Sequence, residues 1–355
     1  MTQPTQEQLK KLIDLYQSGK LDEAESESQN LLKQFPEDIT CLNILGVILD
    51  RKGQTEEAIK VYQKALQINE NSPETHFNMG SIYHRLGRSN EARISYEKAI
   101  TIKSDFLNAY FNLGLVCQNL QSYEKAIENY QKAIQINENS AETHFNMGSI
   151  LHRLGRSNEA RISYEKSISL KPDFLNAHFN LGLVYQNLQD NKKAIESYEN
   201  ALQIKPDFHE AVGAIGTAFQ AQGELDEAIE YYKKAISINS DARNHYNLAA
   251  GLRTQGSLDQ AIEHFEKSLS FNENNPDTLT SLGDALWHKG KTEEGLEKLN
   301  KAVEIDPDNP QANYNLAVFL SDNNELEKSL EHFQRSKIYD WQERSLYCLY
   351  KTEQF

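Results

Sequence analysis

One phrase of this 355-residue sequence returns at a nearly constant interval. The phrase reads EEAIKVYQKAL at 56–66 and YEKAIENYQKAI at 123–134, and its alanine recurs every 34 residues. A last interval of 33 indicates that one residue is missing from the loop near Ser240 and Asp241. A fixed period in this range predicts an array of stacked, similar repeats. The alanines are Ala24, Ala58, Ala92, Ala126, Ala160, Ala194, Ala228 and Ala261.

A longer duplication is superimposed on this 34-residue period. Residues 75–98 and 143–166 have the same sequence except for Tyr83 in the first and Leu151 in the second. The near-identity indicates duplication of a two-repeat segment. The duplicated segment supplies either two copies of a binding site or two copies of a structural building block.

Each repeat predicts two helices joined by a turn. In the fourth repeat, apolar and small residues follow the 3.6-residue period of an amphipathic helix twice. The positions are Tyr110, Leu113, Gly114 and Cys117, then Ala126, Tyr130 and Ala133. Most turns contain a glycine, which tolerates the left-handed conformation that ends a helix. These glycines are Gly19, Gly53, Gly87, Gly155, Gly223, Gly256 and Gly290.

Small residues and large aromatic residues occupy fixed places in the two helices. Interdigitation of small with large side chains brings a helix pair to native packing density. The first helix carries Gly46, Gly80, Gly114, Gly148, Gly182, Gly216 and Gly283, with Ala249 and Ala317 in two repeats. The second helix carries Tyr62, Tyr96, Tyr130, Tyr164, Tyr198, Tyr232, Phe265 and Phe333. We expect each glycine to contact the aromatic ring of its own repeat wherever that repeat has one; the repeat of Gly283 has Leu299 at this position.

The period, the helix–turn–helix unit and these columns resemble the tetratricopeptide repeat (TPR) family. The resemblance covers about residues 5–339 and predicts a TPR domain of ten repeats over residues 1–339. It implies an all-α fold, an α-solenoid coiled as a right-handed superhelix, with the first helices lining its concave surface. The repeats begin near Thr5, Ile39, Pro73, Leu107, Ala141, Leu175, His209, Ala242, Pro276 and Pro310.

The two ends depart from the pattern. The first repeat has Leu12 in place of the usual glycine, and the ninth and tenth have Gly295 and Ser329 in place of the second-helix alanine. We expect these repeats to be less tightly packed. Residues 340–355 predict a further helix, either a cap or the start of another unit, whose apolar residues offer a surface for self-association.

Charge and composition argue against several classes of protein. The net charge is -15 and there is no basic run, so nucleic acid is not an expected partner. No apolar stretch approaches the roughly 18 residues of a membrane span, and the N-terminus does not resemble a signal peptide. We expect a cytoplasmic protein. The three cysteines and the histidines lack metal-ligand spacing, so no metal, cofactor or catalytic residue is predicted.

Two columns of the first helix are expected to point into the concave groove. The amide column contains Asn78, Asn112, Asn146, Asn180, Asn247 and Asn315, and is interrupted at Ile44, Ala214 and Ser281. The ring column contains Phe77, Phe111, Phe145, Phe179, Tyr246 and Tyr314. A carboxamide donates and accepts hydrogen bonds, so it can pair with a peptide backbone whatever the side chains. Arrays of the O-GlcNAc transferase type hold peptides with asparagines at this place. In the other interpretation, both columns only stabilise the scaffold.

The duplicated segment adds a charged edge to this surface. His84 and Arg85 recur as His152 and Arg153. One interpretation places acidic or polar residues of a bound strand, about six apart, near the two arginines. In the alternative, these pairs are a solvated edge copied by duplication.

The sequence therefore predicts a non-enzymatic interaction scaffold that binds an extended peptide or partner segment. Two alternatives remain at this point. The chain could be the substrate-recruiting module of a glycosyltransferase-like or other enzyme, or an assembly chaperone.

Overall fold

The computed structural model describes residues 3–338. Every regular element in that part of the chain is a helix, and the helices follow one another as antiparallel pairs. The predicted C-terminal helix at 340–355 lies outside the described residues. The first ten helices are α1 (Gln6–Gln17), α2 (Leu21–Gln34), α3 (Ile39–Arg51), α4 (Thr55–Ile68), α5 (Pro73–Arg85), α6 (Ser89–Ile102), α7 (Leu107–Asn119), α8 (Tyr123–Ile136), α9 (Ala141–Arg153) and α10 (Ser157–Leu170). The next ten are α11 (Leu175–Asn187), α12 (Asn191–Ile204), α13 (His209–Gln222), α14 (Leu225–Ile238), α15 (Ala242–Gln255), α16 (Leu258–Phe271), α17 (Pro276–His288), α18 (Thr292–Ile305), α19 (Pro310–Asp322) and α20 (Leu326–Ser336).

The chain divides into two compact units, an N-terminal unit (Met1–Ala177) and a C-terminal unit (His178–Phe355). Within each unit a first helix packs against its second helix, as α5 does on α6 and α13 on α14. The second helix then packs against the next first helix, as α6 does on α7 and α14 on α15. This succession of helix pairs confirms the predicted all-α solenoid fold.

The turns have the conformation expected from their glycines. All seven turn glycines have φ between 72° and 89°, the left-handed region in which a side chain is strained. Three turns without glycine place another residue there, at Gln121, Gln189 and Asn324, with φ of 56° to 61°. The turn prediction is confirmed, and the conformation is kept even where glycine is absent.

The predicted contact between glycine and tyrosine is also present. A Cβ atom added to Gly114 would lie 2.5 Å from Cε1 of Tyr130, and one added to Gly216 would lie 2.7 Å from Cε1 of Tyr232. Both rings are buried. We call this contact the small–aromatic joint. It lets the backbone of the first helix lie directly on the ring, and it sets the spacing of the helix pair.

The expected looseness of the ninth and tenth repeats is wrong. A Cβ atom on Gly295 would lie 2.7 Å from the backbone oxygen of Gly283, so α17 and α18 approach backbone to backbone. Ser329 is fully buried, and its hydroxyl donates to the Ala317 carbonyl at 2.7 Å. Glycine permits a closer approach than alanine, and serine replaces alanine by satisfying a carbonyl. The two substitutions therefore keep the helix pairs of the ninth and tenth repeats closely packed.

Two histidines of the first helices, His76 and His144, are packing residues. The imidazoles of His76 and His144 are buried, with Nε2 at 2.9 Å from the Glu70 carbonyl and 3.2 Å from the Glu138 carbonyl. Burial is the main cause that lowers the pKa of both groups.

Neighbouring first helices also contact one another. In the N-terminal unit α3 contacts α5 and α5 contacts α7, and in the C-terminal unit α13 contacts α15 and α17 contacts α19. Among the described residues no comparable contact joins neighbouring second helices. The first helices of each unit therefore lie on the inner side of its curvature, and we call their shared surface the inner face. No helix within 3–338 is long and apolar enough to cross a membrane.

Candidate peptide-binding face

The amide column lies on the inner face with its side chains half buried. The six asparagines occupy the sixth position of α5, α7, α9, α11, α15 and α19. The side chain of Asn112 is held by the repeat before it, because its Nδ2 donates to the hydroxyl of Tyr96 at 3.3 Å. A carboxamide has a second N–H and an oxygen, so this amide can still pair with one peptide group.

The ring column lies beside the amides and contributes to packing between helices. Phe77 lies 5.7 Å from the ring of Tyr96 and 4.9 Å from the ring of Phe106, which opens the next repeat. Phe145 repeats this arrangement with Tyr164 at 5.7 Å and Phe174 at 4.7 Å. The rings are half buried. They have a scaffold role in these contacts, and contact with a ligand remains a prediction.

The two copies of the charged edge differ in their partners. Arg85 forms an ion pair with Asp50 of α3, whereas the guanidinium of Arg153 lies 5.2 Å from the ring centre of Tyr123. Gln118 occupies the place in the later copy that corresponds to Asp50. The duplication therefore copied the arginine without its acidic neighbour.

The histidines beside these arginines are held by the scaffold. Nε2 of His84 lies 3.2 Å from Nδ2 of Asn119 in the next repeat. Burial lowers the pKa of both His84 and its copy His152, so both imidazoles are neutral at pH 7. Neither adds positive charge to the inner face.

A cavity of about 390 Å³ opens on the inner face of the C-terminal unit. The ring column and the amide column are both interrupted there. At the seventh repeat the two columns carry Gly213 and Ala214. The cavity lies between Phe179 and Leu183 of α11 on one side and Asn244 and Asn247 of α15 on the other.

A second cavity, of about 510 Å³, lies where the columns stop again, at Thr280 and Ser281 of α17. Arg243 of α15 borders both cavities.

Family models match the chain along most of its length. A TPR repeat model matches residues 46–87, 80–121, 119–155, 148–189 and 283–324, which together exceed half of the chain. Two further models, both described as tetratricopeptide repeat, match residues 175–208 and 207–274. The chain belongs to the tetratricopeptide repeat family. Its helix pairs are therefore TPR units, and the protein has the fold of a protein-interaction scaffold.

Several solved structures resemble the chain at low identity. The C-terminal part of a TPR protein from Cytophaga hutchinsonii is 19% identical, covers 67% of this chain and 98% of its own, and superposes with a TM-score of 0.57. The APC/C hetero-tetramer Cut9–Hcn1 is 12% identical, covers 95% of each chain, and has a TM-score of 0.54. MamA is 28% identical over 47% of this chain and 91% of its own, with a TM-score of 0.46. The first two likenesses show the fold. No curated protein gives a significant sequence match.

The two cavities are the feature of this TPR array that the sequence analysis missed. The amide column is interrupted at Ala214 and Ser281, and the neighbouring rings are lost as well, at Gly213 and Thr280. The signal was present in the same alignment of repeats. Two adjacent small residues on a face that is otherwise ring and amide predict a hollow.

Proposed function

We propose that this TPR protein is a non-enzymatic scaffold that holds an extended peptide or partner segment along its inner face. The observation that carries the proposal is the carboxamide at one helix position in six repeats, half buried on the inner face each time. Half-buried amides are oriented by their surroundings and remain open on one side. They are suited to pairing with backbone groups of a strand of variable sequence.

The spacing of the repeats fits an extended strand. Neighbouring helices pack about 10 Å apart, and an extended chain advances about 3.3 Å per residue. One repeat therefore meets about three residues of the peptide. Micromolar affinity corresponds to about 8 kcal/mol, and a hydrogen bond contributes about 1 kcal/mol. Six amide contacts would supply about 6 kcal/mol, so side-chain contacts must supply the remainder.

The different surroundings of the two arginines refine the earlier hypothesis about acidic residues. The guanidinium of Arg153 lies against the ring of Tyr123 and forms no ion pair within residues 3–338, whereas Asp50 neutralises Arg85. We therefore propose that an acidic residue of the peptide is selected near Arg153 rather than near both arginines.

The experiment compares two double variants of the same repeats. Asn78→Ala with Asn146→Ala removes two amides of the inner face. Asn90→Ala with Asn158→Ala removes two exposed amides from the second helices of the same repeats, twelve residues further along in each. A peptide array of varied sequence, probed with each purified protein, should show at least fivefold weaker binding for the first variant only.

Thermal unfolding provides the control, because both variants should unfold within a few degrees of the natural protein. Equal peptide binding by the two variants would show that the amide column does not contact the ligand. If the array bound no peptide to the natural chain, the proposed function itself would be wrong.

A further inference from the structure

The cavity at the seventh repeat lies where other repeats place two aromatic rings. In three repeats, the phenylalanine of the ring column packs against a second phenylalanine. This second ring belongs to the residue just before the first helix of the next repeat. The ring centres are 4.9 Å apart for Phe77 and Phe106, and 4.7 Å apart for Phe145 and Phe174. In the third pair, Phe179 and Phe208, they are 5.1 Å apart. The two corresponding residues at the seventh repeat are Gly213 and Asp241, so both rings are absent there.

The space that this leaves is large enough for a ring, and part of its wall is apolar. A cavity of about 150 Å³ lined by apolar groups can hold benzene, and this one is about 390 Å³. Phe179, Leu183, Gly213 and Ala214 line it together with polar groups from α13 and α15. An apolar side chain that enters from the inner face would replace the packing that the missing rings provide elsewhere.

The polar groups beside the cavity are themselves fixed. Nδ2 of Asn244 donates to the Asn239 carbonyl at 2.8 Å and lies 3.3 Å from Nδ1 of His209, the first residue of α13. Asp241 accepts from the Asn244 backbone N–H at 2.8 Å. This network holds the start of α15 against α13. The loop before α15, near Ser240 and Asp241, is one residue shorter than in the other repeats. The cavity is therefore a preformed feature of the repeat junction.

A cation borders this space. The side chain of Arg243 is exposed, and the structure gives it no ion pair within residues 3–338. A guanidinium beside an apolar cavity favours an aromatic occupant over an aliphatic one, because it is attracted to the face of the ring. The chain uses the same chemistry at its own rings. Nζ of Lys103 lies 5.0 Å from the ring centre of Phe106, and Nζ of Lys205 lies 5.6 Å from that of Phe208.

We propose that this cavity is a specificity pocket for one aromatic side chain of the bound peptide. The occupant is the ring of a phenylalanine, tyrosine or tryptophan, packed over Gly213 between Phe179 and Asn247 with Arg243 at its edge. The inference rests on the proposed peptide-binding function, and it adds the chemical class of residue that this part of the inner face selects.

The glycine provides a matched pair of variants. A Cβ atom on Gly213 would meet Oδ1 of Asn244 at 3.4 Å and Cβ of Ala235 at 3.9 Å, which are ordinary contacts. Gly213→Ala therefore leaves the cavity open. Gly213→Phe places the chain's own ring in it, as Phe179 does over Tyr198 one repeat earlier at 5.6 Å. Ala214→Leu fills the same cavity from the neighbouring position and serves if the phenylalanine variant does not fold.

The probe is N-acetylphenylalaninamide, titrated against the full chain by ligand-observed NMR, with N-acetylleucinamide and N-acetylalaninamide as comparisons. We expect the aromatic amide to bind most tightly. Its affinity should fall at least tenfold in Gly213→Phe or Ala214→Leu and change less than twofold in Gly213→Ala. Arg243→Gln should reduce the preference for phenylalanine over leucine at least threefold. Equal binding to the filled and open variants, or no preference for the ring, would overturn the proposal.

The outcome can be separated from that of the proposed function. Asn78→Ala with Asn146→Ala should leave binding of the aromatic amide unchanged, because those residues belong to the N-terminal unit. If the peptide array showed binding that neither an aromatic residue nor Gly213→Phe affected, the pocket would be refuted and the scaffold function would stand. If the aromatic amide bound as predicted and the array bound no peptide, the cavity would still accept an aromatic ring, but the scaffold function and the role of the pocket in it would both be refuted.

Discussion

The first helices α5 and α13 form the same small–aromatic joint but carry different residues on the inner face. In both, a glycine lies on a buried tyrosine, Gly80 on Tyr96 and Gly216 on Tyr232. On the inner face, α5 presents Phe77 and Asn78, whereas α13 presents Gly213 and Ala214 beside a cavity. The fold therefore depends on the joint, and the inner face is free to vary from repeat to repeat. That separation is what allows one repeated scaffold to carry different contacts along its length.

The largest effect should come from removing the shared joint. Tyr96→Ala and Tyr232→Ala each delete a buried ring, and we expect each to lower the free energy of unfolding by about 3–5 kcal/mol. Urea denaturation of the two variants measures the loss. Because the joint is the same in both repeats, the two losses should agree within about 1 kcal/mol. A harmless Tyr232→Ala would mean that the cavity repeat does not depend on its joint.

Two glycines of α13, three residues apart, should respond to alanine in opposite directions. Gly216→Ala forces a methyl group to 2.7 Å from the Tyr232 ring, and overpacking of this kind costs about 1–3 kcal/mol. Gly213→Ala meets only ordinary contacts and should stabilise the helix by about 0.5–1 kcal/mol, because alanine loses less backbone entropy. Thermal unfolding of the two variants tests the difference. The same sign for both would contradict the division between joint and inner face.

Both compact units should lose stability as the pH falls. Burial is the main cause that lowers the pKa of His76 and His144 in the N-terminal unit, and of His245 and His264 in the C-terminal unit. The unfolded state therefore binds more protons than the folded state near and below a pH of about 6.5. The stability contributed by these neutral imidazoles is complete above that pH and decreases below it. The urea midpoint should be lower at pH 5.5 than at pH 7.5.

The imidazole pair of the C-terminal unit sharpens this test. Nδ1 of His245 lies 2.9 Å from Nδ1 of His264, within hydrogen-bond distance. His264→Asn removes one of the two groups whose protonation is resisted, and the difference between the two pH values should become smaller. An unchanged pH dependence in this variant would assign the effect to histidines elsewhere in the chain.

The smallest effect on stability should come from Asp50→Asn. This change removes the acidic partner of Arg85, whose side chain is 53% exposed, and an exposed ion pair contributes less than about 1 kcal/mol. The Asp50→Asn variant makes Arg85 comparable with Arg153, whose neighbour is Tyr123 rather than an acidic residue. Peptides with an acidic residue should bind the variant more tightly than the natural chain. No gain in affinity would place Arg85 away from the ligand.

Periodic features of the sequence were sufficient to predict the fold. The spacing of Gly114 and Tyr130 predicted a contact within one repeat, and the turn glycines predicted left-handed turns. Both depend on residues whose relative positions are set by helix geometry alone. The same reasoning failed at Gly295, where a small residue was expected to loosen the packing and instead brings two backbones together.

The sequence by itself determined the helix pairs, their turns and the small–aromatic joints, because each is a local arrangement repeated at a fixed interval. Only the tertiary structure decided how successive repeats meet on the inner face. The ion pair of Arg85 with Asp50 and the cavity between α11, α13 and α15 join residues about 30 or more positions apart. Such contacts depend on the distance between whole repeats, which side-chain packing sets and no local pattern encodes.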